Sequence, residues 1–118
     1  AVDIDPDRIQ RAKESLRRCG LDGRVTCIEG DAHDVVRTLA GPFDFIFLDA
    51  DKRGQLDYLN VLFPKRLPGG VLLCHGAIEY RDRMEDYLDA VTKHPELDTV
   101  IVSVTKKDGF AVSRRKKK

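Results

Sequence analysis

The sequence predicts an α/β domain: a mostly parallel sheet with helices on both faces, closed by an antiparallel hairpin strand. Three observations carry this. Phe43-Asp44-Phe45-Ile46-Phe47-Leu48 and Val71-Leu72-Leu73-Cys74 are apolar runs too short for helices, the pattern of strands covered on both faces. Segments with apolar residues at helical spacing alternate with them, which implies right-handed crossovers and parallel strands. Near the end, Lys107-Asp108-Gly109 turns a β-branched run back on itself, so the last two strands are antiparallel.

Ala1-Val2-Asp3-Ile4-Asp5 reads as the end of a strand. Asp5-Pro6 starts a helix, because Asp caps the first turn and Pro suits the first helical position. Ile9, Ala12, Leu16 and Cys19 give its apolar stripe, and Gly20 ends it. Residues 24–29 form a short β-rich run. After the turn at Gly30-Asp31, either Asp31 or His33 caps a helix with Val35, Val36 and Leu39, which Gly41-Pro42 breaks. The run from Phe43 is predicted as a central strand, followed by Asp49, Asp51 and Lys52. A helix then presents Leu56, Leu59, Leu62 and Phe63 on one side and stops near Pro64. Pro68-Gly69-Gly70 is a turn into the next strand. A third helix from about 81 to 93 turns Met84, Leu88 and Val91 inward, and 99–104 is the penultimate strand.

At 118 residues, 42% hydrophobic and 35% charged, the chain is long and apolar enough to bury a core in one domain. No apolar run approaches a membrane span and no signal peptide is visible. Cys19, Cys27 and Cys74 contain no C-x-x-C pair and read as reduced thiols, which implies a cytoplasmic protein. Net charge is +1, but residues 114–118 supply five positive charges. Without them 16 of the 21 basic residues face 20 acidic ones, a balance of −4. A mildly acidic body argues against a nucleic-acid groove, and nothing points to a membrane partner. The tail is read as a solvated end.

In open α/β sheets, ligands bind beyond the carboxyl ends of the strands. Asp49, Asp51 and Lys52 follow such an end, and they form either a working site or a polar loop with Asp51 as a helix cap. Together, Val2-Asp3-Ile4-Asp5-Pro6, Glu29-Gly30-Asp31-Ala32, the run 43–52 with Tyr58, Pro68-Gly69-Gly70 and Asp108-Gly109-Phe110 resemble the class I S-adenosylmethionine-dependent O-methyltransferases of the catechol and caffeoyl-CoA group. The run 43–52 is the most specific of these stretches. The resemblance implies a Rossmann-like methyltransferase sheet and methyl transfer from S-adenosylmethionine to a hydroxyl oxygen of a small aromatic acceptor. It further implies that Asp3 accepts the ribose hydroxyls, that Asp31 and Ala32 border the adenine, and that Asp49 lies at the cofactor and binds a divalent metal, Mg or Mn. Lys52 then matches the general base. Family members are commonly homodimers.

Two departures accompany the resemblance. The family completes its metal site with an Asp-Asn pair, and the matching positions here are His75-Gly76. Histidine suits manganese or zinc better than magnesium, and glycine offers no side-chain ligand. The metal site, assigned to Asp49 and His75, is therefore altered or lost, and His75 serves equally as a base or a substrate contact. Gln55 also replaces a usual tyrosine. Second, the family's first strand, Gly-rich cofactor turn and first helix have no counterpart in this sequence. Residues 1–113 are accordingly expected to be the C-terminal two-thirds of such a domain, with 114–118 as a basic tail.

A different class shares the skeleton. Receiver domains carry acids after the first strand, a phosphoacceptor Asp after the third and a Lys after the fifth, roles open to Asp3, Asp5, Asp49 and Lys106. The missing hydroxyl residue at 75–76 and the closing hairpin oppose that reading. A non-catalytic methyltransferase relic acting as an interaction module is the third.

Overall fold

The structure is a computed structural model that describes residues 1–103, 105 and 107–117. It comprises two compact units, Ala1–Leu39 and Ala40–Lys118. The first holds strand β1 (Val2–Asp3), helix α1 (Pro6–Arg18), strand β2 (Ile28–Glu29) and helix α2 (Ala32–Thr38). β1 and β2 pair in parallel, Val2 opposite Ile28 and Asp3 opposite Glu29.

Helix α1 is bounded as its sequence dictates. The Asp5 carboxylate accepts the Asp7 N–H at 2.8 Å, and Pro6 occupies the first helical position. At the other end Gly20 adopts φ 70°, its N–H donates to the Arg17 carbonyl, and the Leu21 N–H donates to the Leu16 carbonyl at 2.8 Å. This pair of reversed bonds satisfies carbonyls that the helix itself cannot. Ile9 is buried, Ala12 and Leu16 are half-buried, and Cys19 is exposed. The strand expected over 24–29 is reduced to Ile28–Glu29, since its partner β1 offers only two residues.

The second unit contains β3 (Phe43–Leu48), α3 (Gln55–Leu62), β4 (Arg66–His75), α4 (Glu85–Lys93), β5 (Leu97–Val102) and β6 (Phe110–Arg115). Its sheet runs in the order β3-β4-β6-β5. β3 is parallel to β4, and β6 is antiparallel to both of its neighbours. The predicted mixed sheet with a closing antiparallel strand is thus present. An antiparallel strand seated between β4 and β5 does not fit the receiver reading; Lys106, which that reading needs, lies outside the described residues.

Leu72 and Cys74 on β4 share a buried face with Ala111 and Ser113 on β6. Tyr58, Leu59 and Leu62 of α3, with Met84, Tyr87 and Val91, complete this core. The buried Ser113 hydroxyl is satisfied by Thr99 Oγ1 at 2.9 Å, and Thr99 also donates to the Val91 carbonyl, tying β5 to α4.

Several elements depart from expectation. β3 was expected to be central and covered on both faces, yet it is an edge strand of this unit's sheet, with Phe45 and Phe47 56% and 51% exposed. Pro68-Gly69-Gly70 lies within β4 rather than before it. The extra residues are absorbed as an irregularity, with Phe43 opposite Arg66 but Phe45 opposite Val71. The third helix splits into a 3₁₀ turn (Arg81–Arg83) and α4, with Met84 between them. The strand expected over 99–104 runs Leu97–Val102 and β6 begins at Phe110, while Val104 and Lys106 lie outside the described residues. Among the described residues, no helix is long and apolar enough to cross a membrane.

Candidate active site

The candidate residues fall into two groups, one in each unit. In the first unit, Asp3 ends β1. Its Oδ1 accepts the Asp5 N–H at 2.9 Å and its Oδ2 lies 3.2 Å from Arg8 Nε. The carboxylate is half-buried at a strand terminus and keeps lone pairs beyond these two contacts. Asp31, rather than His33, caps α2: its Oδ1 accepts the His33 N–H at 2.9 Å. Asp31 is exposed and Ala32, at the first helical position, is half-buried.

In the second unit the sheet assembles a tighter cluster. β3 and β4 are parallel neighbours with Leu48 opposite Cys74, so the residues that follow Leu48 and Cys74 emerge at the same end of the sheet. A 3₁₀ turn (Lys52–Gly54) brings Lys52 back over that end. Lys52 Nζ donates to Asp49 Oδ1 at 2.9 Å and to the His75 carbonyl at 2.8 Å. The same Asp49 oxygen lies 3.3 Å from His75 Nδ1, and the other ring nitrogen is 3.7 Å from Asp108 Oδ1. The Tyr80 ring centroid is 5.6 Å from Lys52 Nζ, and the Phe110 ring lies 5.1 Å from the His75 ring. The Lys52 side chain is only 15% exposed, against 49% for Asp49, so an amine on a long stem is held at the mouth of the cluster by two acceptors.

Asp51 occupies the cap position of the 3₁₀ turn, but its side chain makes no capping bond; it accepts the Tyr58 hydroxyl at 2.7 Å. Behind the cluster, burial pushes the Cys74 thiol up to about 11, with a smaller lowering influence from Lys52 and a raising one from Asp49. Burial likewise raises the Tyr87 hydroxyl.

These contacts bear on the metal that the resemblance implies. Asp49 Oδ1 is shared between Lys52 and His75, both ring nitrogens of His75 face carboxylates, and Gly76 has no side chain. Among the described residues no group of three His, Cys, Asp or Glu side chains is arranged to hold a metal ion. The donor set does not fit a divalent cation. The structure brings Asp49, Lys52 and His75 together, and adds Tyr80 and Asp108, whose approach depends on contacts far apart in the chain.

Residues 1–77 match the family model of the methyltransferase domain. The chain is 33% identical over 127 residues to a catechol O-methyltransferase of Mycobacterium tuberculosis, an alignment that covers 95% of this chain and 58% of that relative. A cofactor-bound crystal structure from MTB superposes with a TM-score of 0.88 at 26% identity, over 99% of this chain and 61% of that one. An O-methyltransferase from Bacillus cereus, in complex with SAH, gives the same TM-score at 22% identity, over 98% and 61%. The chain therefore spans little more than half the length of these proteins.

Proposed function

This chain belongs to the methyltransferase-domain family, among the class I O-methyltransferases, and on that premise we propose that the protein containing it methylates a hydroxyl oxygen of a small aromatic acceptor. The observation that carries the reading is the Lys52–Asp49–His75 cluster at the paired ends of β3 and β4, where ligands of open α/β sheets bind.

S-adenosylmethionine, when bound, would supply a sulfonium methyl group whose C–S bond breaks, releasing the thioether S-adenosylhomocysteine, as the acceptor oxygen bonds to the methyl carbon. In the first unit, Asp3 would hold the ribose through charge-assisted hydrogen bonds, and Asp31 and Ala32 would border the adenine. In the second unit, Asp49 would stand at the cofactor's reactive end. Lys52 is the catalytic group: its amine takes the hydroxyl proton as the acceptor oxygen ionises. The resulting ammonium is stabilised by the Asp49 carboxylate and the His75 carbonyl, the two contacts seen at 2.9 and 2.8 Å. The rings of Tyr80 and Phe110, beside Lys52 and His75, favour an aromatic acceptor over an aliphatic one. No step is assigned to a metal held by Asp49 and His75. A homodimer in the cytoplasm belongs to the same reading.

The test is incubation of the complete protein with S-adenosylmethionine and a panel of hydroxylated aromatic compounds, with products read by mass spectrometry. Methylated product that disappears with Lys52→Met supports the reading. Absence of methylation across the panel, or undiminished turnover in Lys52→Met, contradicts it.

A further inference from the structure

We infer that Lys52 takes the place of a divalent cation at this strand end, so that the positive charge facing the ionised acceptor oxygen is the ammonium that Lys52 becomes on taking the proton. The inference rests on the methyltransferase reading for its chemical consequence. Its geometry stands on the second unit alone.

Gly76 sits at φ 91°, and a Cβ built there would lie 2.8 Å from Tyr80 Cδ2 and 3.2 Å from both Cε and Nζ of Lys52. The space a ligating side chain would need is thus filled by the Lys52 stem and the Tyr80 ring. The amine contacts Asp49 Oδ1 and the His75 carbonyl, an anion and a dipole that a hard cation would otherwise seek. The His75 ring nitrogens are turned to Asp49 and Asp108 in this arrangement. Lys52 keeps both contacts, as an amine before proton transfer and as an ammonium after it, in a position a metal would have to contest.

The consequence concerns substrate class. A metal that chelates its acceptor requires two adjacent oxygens, whereas a single amine and its ammonium engage one. The acceptor class accordingly includes aromatics with one hydroxyl, with no requirement for a vicinal pair.

The experiment is a titration of Mn²⁺ alone into the complete protein, chelator-treated and shown to be folded by circular dichroism, with free Mn²⁺ read by electron paramagnetic resonance. The expected result is no saturable site at millimolar Mn²⁺ that depends on Asp49. One-to-one binding that is abolished by Asp49→Asn overturns the inference; binding that survives Asp49→Asn lies elsewhere and upholds it. In parallel, methylation of a mono-hydroxylated aromatic is expected to change less than twofold when the chelator EDTA is added. A loss of tenfold or more that Mn²⁺ restores overturns it as well. If no acceptor is methylated under any condition, the functional reading fails, while the Mn²⁺ titration still decides the question of the cation.

Discussion

The two units use their acidic strand ends in different ways. In the first, Asp3, Asp5 and Asp31 bond to groups two to five residues away: backbone N–H groups and the Arg8 guanidinium. In the second, Asp49 and Lys52 meet His75, more than twenty residues on, and the far side of that imidazole faces Asp108. Local bonding makes a carboxylate a cap as well as a candidate ligand, and its loss is felt by one helix. Long-range bonding makes the cluster a product of the sheet itself. The lesson is that the first unit's acids carry structure and candidate function at once, whereas the second unit's cluster has little local structural work to explain it.

That contrast can be broken or sharpened by experiment. The largest effect is expected at Lys52. In the complete protein, Lys52→Met should lower kcat by about a hundredfold to ten-thousandfold, the usual contribution of a positioned base, with cofactor affinity unchanged by calorimetry. A loss of cofactor binding instead would mean that the cluster is structural. Next comes the thiol behind the cluster. Cys74 is buried while Cys19 is exposed, so iodoacetamide at pH 8 should modify Cys74 at least about tenfold more slowly. Because the Cys74 thiol is raised from 9.0 to about 11 in the folded chain, the unfolded chain releases its proton first. The stability from the buried neutral thiol is therefore complete below pH 9 and is lost as pH rises through 11. Urea titrations at pH 8 and pH 10.5 check the sign, and equal or greater stability at the higher pH would contradict it. The smallest effect belongs to the first unit: Asp5→Ala should cost about 1 kcal/mol through the lost cap of α1, read from the urea midpoint.

Much of this was legible along the chain, for reasons that differ by residue. Asp5-Pro6 and Gly20 announced the limits of α1 because capping is local chemistry, and Asp49 and Lys52 announced a strand-end site. The exposure of Phe45 and Phe47 was not legible in the run 43–48 itself, because an apolar run says nothing about whether a strand lies at a sheet's edge. Nor was the partial register break at Pro68-Gly69-Gly70, where a sequence that reads as a turn was carried inside β4 by pairing on both sides of it. On α3 the buried positions include Gln55 and Tyr58, while Leu56, and Phe63 just past the helix end, are only half-buried. Tyr87 was missed because the stripe Met84, Leu88, Val91 fits nearly as well as the observed Met84, Tyr87, Val91. Asp108 was legible as a turn residue and as part of a matching stretch, but not its meeting with His75, which depends on β6 pairing with β4.

The central claim is that these strand-end acids serve a methyl-donor cofactor. Calorimetric titration of S-adenosylmethionine into the complete protein and into its Asp3→Ala variant tests this most directly. The account predicts one-to-one binding that the substitution weakens about tenfold or more, the worth of charge-assisted hydrogen bonds to a ribose. No binding by the unaltered protein, or an affinity indifferent to Asp3→Ala, would contradict it.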